Sequence, residues 1–433
     1  MTVRRAEASS GRVFVRGLDV EKPQKIVMRG GTPLSGTVSI TGSKNAALAL
    51  MAASILASEP VTLRNVPRIG DIHTMVELLN DLGASTQFVE DTAVRIDPTS
   101  ILTLEAPYEL VRKMRASFNV LGPLVARFGF ARVPVPGGCD IGTRPVNFHV
   151  EGLRKLGANL HSEHGVYTAE ARKLEGASIY MDFPSAGATQ HLMTAACLAH
   201  GVTIIENCAT EPEVVNLAAF LNSLGARVEG AGTATITVTG VEQLAGGEYD
   251  IIPDRMEAGT YAVAAAITQG EVFIESAVVE HMRPVVSKLQ EAGVEVEATD
   301  AGLLVRGPSR PKPVDIKTNP HPAFPTDMQQ PFAALLSIAD GTSMITENVY
   351  ESRFRYVNEL NRMGADIRVS ARTAVITGVE RLTGCPVAAT DLRAAAALVC
   401  AGLAAEGTTE LTGVEHLERG YEDMPRKLRG LGA

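Results

Sequence analysis

A short motif recurs six times along the chain, and each copy is an amphipathic segment that ends in glycine. The glycines of the six copies lie 68 to 74 residues apart, at Gly83, Gly157, Gly225, Gly293, Gly364 and Gly432. A second glycine keeps the same spacing in five of the copies, at Gly129, Gly201, Gly270, Gly341 and Gly407. Chance gives one or two such matches, whereas six in register indicate an internally duplicated fold.

Each unit contains the same succession of predicted elements. An alanine-rich helix comes first, and a β-rich run, an amphipathic helix and alternating strand segments follow. In the first unit, apolar residues at helical spacing predict the amphipathic helix over residues 71–82. The glycine that ends it is expected to adopt the left-handed conformation that often terminates helices. The alanine-rich helices are predicted over residues 43–57, 115–128, 185–200, 255–269, 326–340 and 391–406.

The burial that each element requires decides how the units can pack. The alanine-rich helices are apolar nearly all round, so they must be buried on all sides. Segments such as 233–241 alternate between apolar and polar residues, so these strands keep one face in water. Helices inside and sheets outside satisfy both requirements. Because 433 residues exceed what one core usually supports, we predict an α/β protein of two such globules with a cleft between them.

The composition disfavours several classes of protein. A formal net charge of −9 argues against extensive contact with nucleic acid. The longest apolar runs, residues 46–57 and 394–405, are shorter than the ~20 residues that cross a bilayer, so we expect no membrane partner. Residues 1–24 lack the apolar stretch of a secretory signal, and we expect residues 1–23 to form a flexible extension.

The cysteines indicate free thiols in a reducing compartment. They are five in number, scattered, and contain no Cys-x-x-Cys pair: Cys139, Cys197, Cys208, Cys385 and Cys400. This pattern predicts neither a disulfide framework nor a zinc site, and it favours the cytoplasm.

Three cations stand at the starts of predicted buried helices. Lys44, Arg115 and Arg393 lie where the helix dipole disfavours positive charge, and an external anion would explain their placement. Serine and aspartate at the other starts, such as Ser185 and Asp327, are more often ordinary N-caps. Several of these helix ends facing one cleft would make a site for a polyanion.

A glycine-rich loop at residues 136–145 carries a thiol and a guanidinium five positions apart. Its glycines let the backbone approach a ligand closely, and Arg144 could stabilise a thiolate at Cys139 or hold an anionic substrate. Taken alone, the loop is equally compatible with a functional thiol and with a glycine-rich turn that happens to contain a cysteine.

Six short motifs together resemble a known family. They are Gly-Ser-Lys-Asn-Ala-Ala-Leu at 42–48, Met-Arg-Ala-Ser at 114–117, the loop at 136–145, the segment 321–329, Asp-Leu-Arg-Ala at 391–394 and Arg-Gly-Tyr-Glu at 419–422. In this order they resemble the UDP-N-acetylglucosamine 1-carboxyvinyltransferase family of enolpyruvyl transferases. The resemblance runs from about residue 26 to residue 433.

The resemblance implies a fold and a reaction. The fold is a two-domain inside-out α/β barrel, with one domain over residues 44–252 and the other over 24–43 and 253–433. The reaction transfers the enolpyruvyl group of phosphoenolpyruvate to the 3-hydroxyl of UDP-N-acetylglucosamine and releases phosphate, beginning peptidoglycan precursor synthesis. The family requires neither a metal nor an organic cofactor.

The resemblance also implies roles for individual residues. Asp327 corresponds to the base at the sugar hydroxyl, and Cys139 to a loop thiol that donates a proton, forms a covalent adduct or assists product release. Asn45 corresponds to the residue that orients the sugar. The cations expected to hold phosphoenolpyruvate or to line the same cleft are Lys44, Arg115, Arg144, Arg393 and Arg419. The nucleotide-sugar pocket is expected to include Arg144, Pro145, Val146, Asn147, Phe148, Ser185, Ala186, Gly187, Val349 and Tyr350.

Other interpretations remain open at this stage. A relative acting on shikimate 3-phosphate would lack the Cys139 loop, and one acting on another nucleotide would keep it but change the sugar pocket. Other members can carry different side chains at the positions of Asn147, Phe183, Ala186 and Tyr350, so these positions bear on the choice of acceptor. A non-catalytic nucleotide-sugar sensor would be expected to lose Lys44 or Asp327, and an RNA 3′-phosphate cyclase type of scaffold would carry a basic stripe. His149 and Glu211 lie in matching segments, and a structural role is as compatible with His149 as a binding one. The sequence makes no prediction of oligomeric state.

Overall fold

A computed structural model describes residues 25–137 and 146–433 of the chain. Over these residues it contains fourteen α-helices and twenty-two strands. Within the same ranges, none of the helices combines the length and the apolar character that a membrane span requires. Cys139, Arg144 and Pro145 lie outside the described residues, as does the expected N-terminal extension.

The helices are of two kinds, short connecting helices and the longer ones that form the interior. They are α1 (Lys44–Ala53), α2 (Gly70–Asp81), α3 (Tyr108–Val111), α4 (Leu121–Phe128), α5 (Asn147–Lys155), α6 (Ala186–Ala196), α7 (Pro212–Ser223), α8 (Arg255–Ile267), α9 (Arg283–Glu291), α10 (Gln329–Leu336), α11 (Val357–Arg362), α12 (Leu392–Ala404), α13 (Val414–Glu418) and α14 (Met424–Gly430). Short 3-10 helices span Ser54–Leu56, Pro98–Ser100, Arg115–Val120, Val279–His281 and Thr326–Met328.

The strands are short, with three to six residues each. They are β1 (Lys25–Arg29), β2 (Ser35–Ser39), β3 (Val61–Arg64), β4 (Ser85–Glu90), β5 (Ala93–Asp97), β6 (Phe130–Pro134), β7 (Asn159–Glu163), β8 (Val166–Glu170), β9 (Ser178–Tyr180), β10 (Val202–Glu206), β11 (Arg227–Glu229), β12 (Thr235–Thr239), β13 (Gly247–Asp250), β14 (Glu271–Glu275), β15 (Glu295–Thr299), β16 (Gly302–Arg306), β17 (Ile316–Thr318), β18 (Thr342–Glu347), β19 (Asp366–Ser370), β20 (Thr373–Thr377), β21 (Pro386–Ala388) and β22 (Thr408–Thr412).

The alanine-rich helices form two buried bundles. Helices α1, α4 and α6 belong to the N-terminal bundle, and α8, α10 and α12 pack against one another in the C-terminal bundle. Nearly every residue of α8 and α12 is buried, as a helix without a polar face requires. The prediction that the helices lie inside and the sheets outside is confirmed.

Two of the predicted inner helices begin later than expected. The segments predicted as single helices over 115–128 and 326–340 begin as 3-10 turns, and their α-helical parts are α4 and α10. Pro123 and Pro331 are the third residues of these two helices. Proline lacks the N–H that a helix interior uses, so it is tolerated only in a first turn, and the α-helix cannot start earlier.

Six sheets surround the bundles. Four of them have four strands, in the orders β13-β3-β5-β4, β11-β12-β10-β9, β15-β16-β14-β2 and β17-β18-β20-β19, and two have three, β6-β8-β7 and β1-β22-β21. Each four-stranded sheet combines one parallel pair with two antiparallel pairs, as in β9-β10 and β10-β12-β11. In β12 the buried Ile236 and Val238 alternate with threonines on the outer face. The predicted strands with one solvated face are therefore present.

The repeated glycines end the amphipathic segments in the predicted conformation. All six have φ between 87° and 101°, in the left-handed region: Gly83, Gly157, Gly225, Gly293, Gly364 and Gly432. The second set of glycines behaves less uniformly, because in the fourth unit Gln269 (φ 55°) takes the positive angle instead of Gly270. The left-handed backbone therefore explains why glycine ends the amphipathic segment in all six units.

The buried apolar side chains form two separate clusters, which follow the two bundles. The first lies within residues 46–251, and the second combines residues from 28–40 with residues from 256–431. The chain passes between the bundles twice, near residue 43 and near residue 252. The two segments are paired there, since the Ser43 amide donates to the Ile252 carbonyl at 2.7 Å and Gly42 forms an antiparallel bridge with Pro253. These clusters support the predicted domain boundaries at 43/44 and 252/253, which stay a prediction.

Replacing a capping glycine by alanine is expected to destabilise the protein to a degree set by its surroundings. At Gly157 an added Cβ meets nothing within 4 Å, so only the left-handed backbone should matter. We expect the free energy of unfolding to fall by about 1–2 kcal/mol. At Gly83 the same Cβ would also lie 2.9 Å from the Ser100 carbonyl oxygen, so the loss should be larger. Urea unfolding of both variants checks this, and equal losses would contradict it.

Candidate active site

The N-terminal ends of all six inner helical segments face one cavity of about 470 Å³. This convergence follows from the repeat, because equivalent helices in equivalent units point the same way. Each segment places a residue of its first turn or its N-cap on the cavity wall: Lys44, Arg115, Ser185, Arg255, Asp327 and Arg393. Free amide groups and a partial positive charge at helix N-termini favour anions.

Most of the predicted site residues that the structure describes lie on this cavity wall. They are Lys44, Asn45, Arg115, Val146, Phe148, Ser185, Ala186, Gly187, Asp327, Val349, Tyr350, Arg393 and Arg419. Asn147 is exposed at the start of α5 and is not among the lining residues. The glycine-rich loop that was expected to approach the ligand lies outside the described residues from position 138 to 145.

Lys44 and Arg419 share one buried carboxylate, that of Asp71. The Lys44 Nζ lies 2.6 Å from Asp71 Oδ2, and the Arg419 Nε lies 2.8 Å from Asp71 Oδ1. Burial by itself would raise the pKa of Asp71, but the two cations outweigh it and hold the pKa below its ordinary value. Asp71 therefore stays ionised and joins a cation beside the N-terminal bundle to one beside the C-terminal bundle.

Asp327 holds two buried arginines instead of capping a helix. Its carboxylate accepts from Arg353 Nη2 at 2.7 Å and from Arg393 Nη2 at 3.1 Å. Arg393 also donates to the hydroxyl of Tyr421 at 2.9 Å. Although burial acts to raise the pKa of Asp327, the arginines lower it well below the usual range. The residue is thus the anionic centre of a cationic cluster.

The N-cap interpretation is correct for the other helix starts. Ser43 and Ser185 accept from the amides of Ala46 and Ala188, which are three residues further along. The carboxylates of Asp254 and Asp391 cap α8 and α12 in the same way. For Lys44 and Arg393, protein carboxylates already supply part of the negative charge that the sequence suggested an external anion would provide.

A third ion pair lies deeper, between Glu213 and Arg255. The Arg255 Nε and Nη2 donate to the two carboxylate oxygens of Glu213 at 3.0 and 3.2 Å. Both side chains are less than one tenth exposed. Nearby Glu211 has a buried Oε2 without a hydrogen-bond partner in the described part of the chain, and burial raises its pKa.

Sequence reasoning missed Asp71, Glu213 and Arg353, which complete these pairs. Asp71 and Glu213 stand in the first turns of α2 and α7, where acidic residues are common for reasons of helix stability alone. Arg353 lies in a turn without any periodic pattern. No local signal distinguishes them, because their partners are distant in the chain.

The cavity wall combines six cationic with five acidic side chains among the described residues, which suits anion binding and proton transfer. Across residues 25–137 and 146–433, no group of three or more His, Cys, Asp or Glu side chains could hold a metal ion.

Comparisons with known proteins identify the family to which the chain belongs. The sequence matches the EPSP synthase (3-phosphoshikimate 1-carboxyvinyltransferase) family over residues 28–428. A UDP-N-acetylglucosamine 1-carboxyvinyltransferase of Geobacter metallireducens is 52% identical over 409 residues, which are 94% of this chain and 98% of that protein. A protein of the same name from Gloeobacter violaceus is 53% identical over 407 residues, which are 94% of this chain and 89% of that protein.

The chain belongs to the UDP-N-acetylglucosamine 1-carboxyvinyltransferase family. Solved structures show the same architecture at lower identity. The enolpyruvyl transferase NikO from Streptomyces tendae superposes with a TM-score of 0.86 at 27% identity, covering 95% of this chain and 98% of that one. EPSP synthase from Acinetobacter baumannii gives a TM-score of 0.72 at 20% identity, covering 94% and 97%, and it shows the shared fold alone. The predicted fold class is therefore confirmed.

Removing one member of the Glu213–Arg255 pair is expected to destabilise the protein strongly. Glu213→Gln leaves the buried guanidinium without its carboxylate, which typically costs about 3–5 kcal/mol. The double variant Glu213→Gln/Arg255→Met removes both charges and should recover most of that loss. Chemical denaturation of both variants checks the expectation.

An exposed ion pair provides the matched control. Glu242 pairs with Lys173 at 2.9 Å, and its side chain is 86% exposed. Glu242→Gln should change stability by less than about 1 kcal/mol. If the Glu213→Gln protein is as stable as the Glu242→Gln protein, the prediction that the buried pair stabilises the fold is wrong.

Proposed function

We propose that the protein transfers the enolpyruvyl group of phosphoenolpyruvate to the 3-hydroxyl of UDP-N-acetylglucosamine and releases phosphate. This would be the first committed step of peptidoglycan precursor synthesis, carried out in the cytoplasm on small-molecule substrates. The observation that carries the proposal is that Lys44, Asp327 and Arg419, from distant parts of the sequence, line a single cavity. The relatives at 52–53% identity support the choice of acceptor.

The reaction needs an acid, a base and cations, and the cavity offers candidates for each. In the first step the sugar oxygen bonds to C2 of phosphoenolpyruvate, the hydroxyl proton leaves to a base, and a proton is added to the methylene carbon. In the second step the bond from C2 to the phosphate oxygen breaks, phosphate leaves, and the methyl group loses a proton. Positioned cations stabilise the phosphate and carboxylate charges in both steps.

We assign Lys44 and Arg419 to the anionic groups of phosphoenolpyruvate. Both now hold the carboxylate of Asp71, with contacts of 2.6 and 2.8 Å. A phosphate or carboxylate ligand can exchange with this internal anion without leaving either cation buried and uncompensated. Arg115 and Arg393 are assigned to the same anionic region, and both line the cavity.

We assign Asp327 to the sugar hydroxyl as its base and Asn45 to the orientation of the sugar. The wall formed by Val146, Phe148 and Val349 offers apolar surface for the nucleotide part, next to Ser185 and Gly187 at the start of α6. Cys139, Arg144 and Pro145 complete the proposal by resemblance, together with Asn147, which precedes Phe148.

One phosphate-release assay tests the function. With phosphoenolpyruvate as donor, we expect release with UDP-N-acetylglucosamine and none above background with shikimate 3-phosphate or UMP. Release with either alternative acceptor would identify a different enolpyruvyl transferase. Binding of UDP-N-acetylglucosamine without any release would favour the nucleotide-sugar sensor.

Replacing Asp327 tests its role as the base. Asp327→Asn keeps the shape of the side chain but removes its negative charge, and we expect kcat to fall by about 10²–10⁴. Asp340, an aspartate with a 75% exposed side chain, gives the matched control, since Asp340→Asn should leave kcat unchanged. A near-normal kcat for Asp327→Asn, in protein that unfolds at the wild-type midpoint, would refute the assignment.

A further inference from the structure

A pair of buried histidines stands behind the nucleotide side of the cavity. His191 lies within α6 and is 1% exposed, and His149 lies in α5 and is 8% exposed. Their Nδ1 atoms are 3.0 Å apart, and their ring centroids 4.9 Å apart. The Phe118 and His149 rings pack in a T-shaped arrangement with a centroid distance of 5.6 Å. Of the two histidines, only His149 lines the cavity.

The Gly122 amide fixes the tautomer of His191. This amide lies in the first turn of α4 and donates to His191 Nε2 at 2.7 Å. A backbone N–H can only donate, so Nε2 must carry a lone pair, and the proton of the neutral His191 ring must be on Nδ1. A Cβ at position 122 would lie 2.7 Å from the same nitrogen, so the close approach requires glycine.

The tautomer of His191 in turn fixes that of His149. Because His191 Nδ1 carries a proton, it donates to His149 Nδ1, which must accept, and the proton of His149 is then on Nε2. Burial lowers the pKa of His191 to about 3. Burial, together with His191 and Arg115, also lowers the pKa of His149 well below its ordinary value. Both rings are therefore neutral at physiological pH, and the order of donors is unambiguous.

The His149 Nε2–H lies beside the start of α6. A Cβ built on Gly187 would lie 3.6 Å from His149 Nε2, and Ser185, Gly187 and His149 all line the cavity. The first turn of α6 contains no charged side chain, whereas the 3-10 turns that precede α4 and α10 carry Arg115 and Asp327. The amides of α6 and the imidazole N–H therefore form a group of neutral donors, apart from the cationic clusters of Asp71 and Asp327.

We propose that His191 is a positioning residue, which holds His149 in the Nε2–H tautomer so that His149 and the α6 N-terminus together bind the diphosphate of a nucleotide sugar. This inference rests on the proposed function for the identity of the ligand. His191 itself does not touch the substrate. It acts through the chain of donors that runs from Gly122 through His191 and His149 to the α6 end of the cavity.

Replacing His191 tests the proposal. His191→Leu removes the donor to His149, so KM for UDP-N-acetylglucosamine and the Kd for UDP should rise about tenfold, the usual weight of one hydrogen bond to a charged group. KM for phosphoenolpyruvate should stay unchanged. His191→Asn keeps an N–H near the Nδ1 position and should restore part of the affinity. Unchanged UDP affinity in His191→Leu would overturn the proposal.

A double-mutant cycle separates positioning from packing. In a His149→Leu background, His191→Leu should have no further effect on UDP affinity, because its influence passes through His149. An equal effect in both backgrounds, or a rise in both KM values with a lower unfolding midpoint, would assign His191 to the core instead. In ¹⁵N-histidine spectra, His149 should show an unprotonated Nδ1 in the wild type and a mixture of tautomers in His191→Leu.

Binding of UDP also separates this inference from the proposed function. If the wild type releases phosphate with UDP-N-acetylglucosamine but His191→Leu binds UDP normally, the inference is wrong and the function stands. If the wild type releases no phosphate but His191→Leu weakens UDP binding, the function is wrong and the histidine pair still serves a nucleoside diphosphate site.

Discussion

The structure depends on bringing six helix N-termini to one point in a protein of net charge −9. Each terminus carries a partial positive charge, and several add a lysine or arginine, so their mutual repulsion must be offset locally. Asp71, Asp327 and Glu213 provide the compensation, each with a pKa held below its ordinary value by the cations beside it. The distant surface charge matters little here, because salt screens it over about 8 Å.

Two of these carboxylates also connect the two bundles. Asp71 and Glu213 belong to the chain around the N-terminal bundle, and they hold Arg419 and Arg255 from the other side of the cavity. Thr210 adds a neutral link, since its hydroxyl donates to the His321 carbonyl at 3.0 Å. The contacts between the two bundles therefore depend on the charges in the cavity. An anion that replaces a carboxylate on one cation changes the contacts between the bundles at the same time.

The sequence was sufficient for the architecture but only partly for the site. Six glycines in register predicted the duplicated fold. A left-handed helix cap has few alternatives to glycine, so each cap can be recognised in the sequence. Lys44 and Arg393, which line the cavity, were singled out because positive charge at a helix start is locally unusual. Asp71 and Arg353 were not, because each is ordinary in its own segment, and its role exists only through a partner far away in the sequence. The early start expected for α4 and α10 failed for a local reason, the prolines at their third positions.

The arrangement around Asp327 poses a problem that the proposed reaction resolves. A carboxylate held by Arg353 and Arg393 is ionised but, with its pKa lowered, it is a weak base for a sugar hydroxyl. Its basicity rises if substrate anions take over the guanidiniums, because the cations that stabilise the carboxylate then have other partners. Binding of the anionic substrate would thus activate the base that the chemistry needs. Under the proposed function, substrate recognition and proton transfer would then be coupled through the same ion pairs.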